Sequence, residues 1–250
     1  MNRPLRDRST LSALELVTRV ELAALYRLFV HFRWTDLTYT HICARLPGKA
    51  DHFLLNPYGL LFEEVRASNL VEVGPEGEVC GEGRYNRAGY AIHDAILRAR
   101  PDARFVLHSH TRAGIAVSAM KCGLLPLSQH ANVVMQSVAY HAYAVAEDDP
   151  HECARMAASL GDKPLLILHN HGLLSCGRTA AEAFLYHYFL QMACEIQIAV
   201  SGTAQDFLGA SAESVHSLSS WGKPRRKPWG AVQWDALMRL LDRTCPDFRS

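Results

Sequence analysis

Phe105-Val106-Leu107-His108-Ser109-His110-Thr111 joins a short apolar run to two histidines spaced two residues apart. Entered from the turn Arg100-Pro101-Asp102, the run reads as the end of a buried strand. In a strand, residues i and i+2 face the same side, ~6–7 Å apart along the backbone, so His108 and His110 can aim at one point. A second apolar run, Leu165-Leu166-Ile167-Leu168, leads into His169-Asn170-His171-Gly172 and offers a third imidazole at the end of another strand. With 13 His in the chain, one His-x-His pair can arise by chance. Two such groups, each closing an apolar strand, need polar partners, and a shared metal ion satisfies several rings at once. Three imidazoles leave one coordination position open, the arrangement of a catalytic metal site.

At 250 residues, 49% hydrophobic and 20% charged, the chain can bury a full core. Lys+Arg 26 against Asp+Glu 25 leave a formal charge of +1. Without a sustained basic stripe this predicts a small-molecule partner and no nucleic acid. Seven Cys, odd in number and never in a Cys-x-x-Cys pair, argue against a disulfide framework or a zinc ribbon and fit a cytoplasmic setting. The first ten residues carry charges but no apolar core, and no run reaches the about 20 apolar residues of a membrane span. No membrane partner is expected.

Ser12-Ala13-Leu14-Glu15 is a capping-box pattern that opens a helix ending near Trp34. Turn signals at Pro47-Gly48 and Gly74-Pro75-Glu76-Gly77 predict two hairpins, with a short helix over 62–69 between them. Helices are predicted over 90–99, over 111–120, and from the Asp149-Pro150 start to Leu160-Gly161, while 133–145 reads mostly as strand. Thr179-Ala180-Ala181-Glu182 opens the longest helix, over about 180–200, stopped by Gly202. The division expected is a flexible arm over 1–11, one continuous α/β domain over 12–202, and a linker and helical tail over 203–250. Within the tail a mobile connector precedes a last helix over 232–241. The long helix carries apolar residues on more than one face, which predicts a second buried surface, either in a layered core or on another subunit.

Residues 98–126, RARPDARFVLHSHTRAGIAVSAMKCGLLP, residues 166–177, LILHNHGLLSCG, and Ala193-Cys194-Glu195-Ile196-Gln197 together resemble the class II aldolase and adducin family. The resemblance runs from about Leu16 to Val200, and from His110 to Pro126 the chain is more similar to the adducin head than to the sugar-phosphate aldolases. It implies a three-layer α/β/α domain on a mainly antiparallel central sheet, and a cyclic homotetramer with sites near subunit contacts. It also implies a divalent metal, Zn first with Mn, Co or Fe as alternatives, on His108, His110 and His171.

Two departures from the aldolases bear on function. The family's metal-facing glutamate falls four residues before a helix histidine; matching that histidine to His93 puts Gly89 in its place. The phosphate-cradling stretch corresponds to Asp36-Leu37-Thr38-Tyr39-Thr40-His41-Ile42 and Asn56-Pro57-Tyr58-Gly59, where no cradle of small residues is visible. The expectation is a metal-dependent lyase that acts, through an enediolate, on a small non-phosphorylated hydroxy- or oxo-carbonyl compound. The missing proton-transfer role falls to Glu82, to His130 or to a neighbouring subunit. The alternatives are a non-catalytic adducin-like scaffold and an Fe(II)-dependent oxygenase, the second disfavoured because it calls for two His and a carboxylate.

Overall fold

The Ser12 hydroxyl accepts from the amide of Glu15 at 3.1 Å, and the helix it caps, α1, runs Ala13–His31. The structure is a computed structural model that describes residues 11–144, 150–203, 206–222 and 229–250. Most of the expected arm over 1–11, the N-cap Asp149 and the basic run 223–228 lie outside the described residues.

Among the described residues seven strands form one sheet: β1 Ile42–Arg45, β2 Phe53–Leu55, β3 Val71–Val73, β4 Phe105–Ser109, β5 Val138–His141, β6 Leu165–Leu168 and β7 Gly172–Gly177. Their order is β3-β2-β1-β4-β7-β6-β5. Every neighbouring pair is antiparallel except β5 with β6, so the sheet is mainly antiparallel. Side chains alternate across it, as strand geometry requires. Cys43, Val106, Leu166 and Leu174 meet helices α2 (Arg87–Ala99) and α5 (Pro150–Leu160) on one face. On the other face Ile42, Leu54, Phe105 and Leu107 meet α1, α6 (Ala180–Ser201) and α8 (Ala231–Thr244). Leu165, Ile167 and Leu173 face α3 (Arg112–Ser118), α4 (Gln129–Val134) and the middle of α6. The result is the three-layer α/β/α arrangement.

Several elements differ from the sequence reading: the helix expected over 62–69 is a single 3-10 turn, Phe62–Glu64, and the second arm of the hairpin around Gly74–Gly77 makes only one bridge, Val79 with Val73. β7 was not anticipated: its run Leu173-Leu174-Ser175-Cys176 is fully buried on both faces and so lacks the alternation that marks a strand. Residues 129–134 are helical, opened by Ser128, whose hydroxyl accepts from Ala131 N at 3.1 Å. The expected connector contains a further helix, α7 (Ala212–Ser219), capped by Ser211.

Much of the apolar surface of α6 is covered within the chain, while Tyr188, Met192, Ile196 and Ile198 stay half-buried. The helix contacts β4, β6 and β7 below and α1, α3, α4 and α8 around it. Trp229 packs on Phe189 and Tyr186 at ring-centroid distances of 5.0 and 5.4 Å, and Trp234 packs on Phe184. No described helix is long and apolar enough to cross a membrane.

Candidate metal centre

His108 is the fourth residue of β4, a strand buried along its whole length, two residues on from Val106 and on the α2 side of the sheet. Its Nδ1 lies 3.0 Å from the carbonyl oxygen of Leu173 on β7. A carbonyl only accepts, so Nδ1 carries the proton and Nε2 is left bare. His110, just past the strand, has its Nδ1 3.1 Å from Asp36 Oδ2, which assigns the same tautomer. The two Nε2 atoms nevertheless stand 2.8 Å apart, and His171 Nε2 lies 3.0 Å from that of His110. All three nitrogens fall within 4.8 Å of one another. Two bare lone pairs at that distance repel unless a cation lies among them, so this donor set fits a metal ion. Burial holds His108 well below the ordinary imidazole range, with His41 and the other site rings adding to the shift. His171 is lowered to about 4 by burial and by His110. Both rings are in the neutral form that binds metal.

The β6–β7 turn explains how His171 enters the site while His169 leaves it. Leu168 pairs with Gly172, so three residues must reverse the chain, and Asn170 does so at φ +55°, a conformation Asn tolerates. Gly172 is required by close approach: a β-carbon there would run into the carbonyl oxygen of Ser109. His169 turns outward, with Nδ1 2.8 Å from the carbonyl of Ser118 and its ring stacked on Tyr140. Behind β4, a fully buried His187 bridges Ser109 Oγ at 2.9 Å and Ser175 Oγ at 3.1 Å.

The three imidazoles open on a cavity of about 190 Å³. Asn86 and Gly89, from the start of α2, and His41, from the entry to β1, form its inner wall, with the exposed phenols of Tyr39 and Tyr143 at its mouth. The Asn86 carboxamide is taken up in capping α2, accepting from Ala88 N and Gly89 N. Among the described lining residues there is no Asp, Glu, Lys or Arg. His41 Nδ1 hydrogen-bonds His93 Nε2 on α2. A β-carbon at Gly89 would lie 2.6 Å from His41 Nε2 and 2.8 Å from its Cγ. His41 therefore fills the space that a side chain at 89 would need.

Neither sequence candidate for proton transfer lines this cavity. Glu82 borders a separate small hollow with Arg19, Glu72 and Cys80. His130 is half-buried on α4, its ring 5.2 Å from that of Phe189. Beside the first hollow, His52, Glu72 and Cys80 form a second grouping of metal-ligating types, but Lys49 Nζ already sits 2.8 Å from Glu72 Oε1. The residues that sequence reasoning missed are Asp36, His41 and His93 in their observed roles. Asp36 and His41 both lie in the stretch searched only for a phosphate cradle, where a carboxylate and an imidazole were themselves the signal.

The profile of the Class II Aldolase and Adducin N-terminal domain matches residues 20–198. An aldolase II superfamily protein of known structure from Pseudomonas syringae is 44% identical, with TM-score 0.91 over 97% of this chain and 99% of that one. The L-fuculose 1-phosphate aldolase of Glaciozyma antarctica PI12 is 26% identical, with TM-score 0.84 over 98% of this chain and 96% of that one. Alpha-adducin of Rattus norvegicus is 42% identical over 245 residues, which cover 91% of this chain and 33% of alpha-adducin. The chain thus spans a third of that relative's length.

Proposed function

This chain belongs to the class II aldolase and adducin family, and on that premise we propose that it is a metal-dependent lyase holding a divalent ion, Zn first, on His108, His110 and His171. One observation carries the reading: two imidazoles whose Nδ1 protons are committed to Leu173 O and Asp36 bring bare Nε2 atoms together beside a third. When bound, the ion supplies a Lewis acid that polarises a carbonyl oxygen and eases formation of a carbanion next to it. The protein's own contribution is orientation. The Leu173 carbonyl holds the His108 ring, Asp36 holds that of His110, and such partners fix tautomer and raise ligand basicity. The cavity's size and its lack of Lys or Arg among described residues support a small, non-phosphorylated hydroxy- or oxo-carbonyl substrate. The sugar phosphate in the name of the 26% identical aldolase does not suit this lining.

The same proposal includes a cytoplasmic homotetramer with subunit contacts near the cavity. Exposed Tyr39 and Tyr143 at the cavity support it, because large exposed rings at one rim call for a cover. The tail tryptophans Trp229 and Trp234 lend no support, being packed on α6 of their own chain. Light scattering that finds only a single-chain mass at micromolar concentration rejects the tetramer.

A second reading, an adducin-like scaffold without turnover, is favoured by the His41 ring standing against Gly89 together with the 42% identity to alpha-adducin. One experiment separates the two. Metal-loaded protein and the variants His108→Ala and His171→Ala are compared for C–C cleavage and for solvent-deuterium exchange next to the carbonyl across a panel of hydroxy- and oxo-compounds. The lyase reading expects activity in the parent and its loss in both variants. Inactivity of the parent across the panel, with assembly unchanged in the variants, supports the scaffold.

A further inference from the structure

His41 Nδ1 meets His93 Nε2, and His93 is fully buried, with its Nδ1 lacking a partner among the described residues. A buried bare nitrogen is tolerated better than a buried N–H with no acceptor. His93 therefore keeps its proton on Nε2 and donates it to His41 Nδ1. A neutral His41 must then carry its own proton on Nε2, for which no partner is found among the described residues and which lies beside Gly89 on the cavity wall. With Nδ1 accepting from His93, His41 holds a single proton. The pair stays neutral, and its hydrogen-bond direction is set by His93.

The wall facing the three metal-ligating imidazoles thus presents an N–H donor where a side chain from position 89 would have presented a carboxylate. None of the described lining residues is acidic, and Asp36 lies behind His110, outside the lining. Among the described lining residues no charge opposes that of a divalent ion held by these three rings. With no acidic side chain in the described lining, the ligand is the source of the balancing anion, and without Lys or Arg among those residues a small carboxylate suits the space better than a phosphate. Resting on the metal-dependent reading above, we propose that the ligand is a 2-hydroxy- or 2-oxo-carboxylate whose carboxylate accepts a hydrogen bond from His41 Nε2, with His93 as the positioning residue that fixes the donor.

The probes are oxalate, inorganic phosphate and dihydroxyacetone, titrated calorimetrically into the Zn²⁺-loaded full chain. Oxalate is expected to bind at least about ten times more tightly than either of the others. His41→Phe, which keeps ring volume and loses the N–H, is expected to weaken oxalate by about 10- to 100-fold at unchanged zinc content. His93→Leu is expected to weaken it by a smaller factor, and His41→Gln to recover part of the loss. Long-range ¹H–¹⁵N spectra of the unmodified Zn²⁺ protein test the tautomers without any variant, with both His41 and His93 expected to be protonated on Nε2. Phosphate or dihydroxyacetone binding as well as oxalate, His41→Phe binding oxalate like the parent, or His41 protonated on Nδ1 would each overturn the proposal and leave the metal reading standing. A parent chain that takes up no zinc would overturn both.

Discussion

Gly89→Ala sets three energies against one another. Gly89 is the third residue of α2, where alanine gains at most about 1 kcal/mol over glycine in helix propensity. Against that gain, the new β-carbon would meet His41 at 2.6 Å from Nε2 and 2.8 Å from Cγ. His41 is itself buried and tied to His93, so its ring cannot swing aside as a surface side chain would. Overpacking of this kind costs about 1–3 kcal/mol, and breaking the His41–His93 hydrogen bond adds about 1 kcal/mol. The sum is a net destabilisation of about 2 kcal/mol, or about 4–8 °C in Tm for a chain of this length. The assay is denaturant unfolding of metal-free protein, so that lost metal does not contribute, run as a cycle with His41→Ala. Once the ring is gone the alanine has room, and Gly89→Ala should become neutral or stabilising by up to about 1 kcal/mol. A Gly89→Ala protein as stable as its parent, or a cycle in which the two changes simply add, would refute the close packing.

Asp36→Ala removes the carboxylate behind His110 and should weaken zinc binding by about 10- to 100-fold; chelator competition measures it, and an unchanged affinity contradicts the proposed orientation of His110. Gly172→Ala presses a β-carbon onto the Ser109 carbonyl, a backbone atom that cannot rotate away. It should destabilise the fold by about 2 kcal/mol or more and lower metal occupancy with it, and normal stability and occupancy would show the approach to be looser. Burial depresses His93 and His187 to about 3 in the folded chain, below the about 6.5 of an unfolded histidine. Stability is therefore complete above about pH 6.5 and declines toward pH 3 as the unfolded chain alone takes up protons, by up to about 1.4 kcal/mol per pH unit for each group. Unfolding free energies of the metal-free protein should fall across that window and fall less steeply in His187→Gln, whereas parallel pH profiles would exclude His187 as a contributor.

Strong local signals carried most of the fold. Ser12 and Thr179 cap α1 and α6 through hydroxyls that accept from Glu15 N and Glu182 N, as their capping-box spacing requires, and Gly202 ends α6. The resemblance supplied the layer order and the antiparallel sheet. β7 was hidden because a strand buried on both faces loses the period-two alternation by which strands are read, and α7 because it is short and mostly exposed. At the site, the spacing of His108 and His110 foretold a shared direction, and the structure brings His171 beside them. Asp36 stands 74 residues from the ring it orients, and His41 stands 52 from the ring that orients it. Pairings across such separations follow from sheet order, which no local pattern encodes.

Metal analysis of the purified chain tests the central claim most directly. After loading with Zn²⁺, Mn²⁺, Co²⁺ or Fe²⁺ and removal of the excess, the parent should retain about one equivalent per chain of at least one of these ions, and His108→Ala and His171→Ala should retain little. Less than about a tenth of an equivalent in the parent with every ion, or full retention in both variants, would contradict a metal centre built on these three histidines.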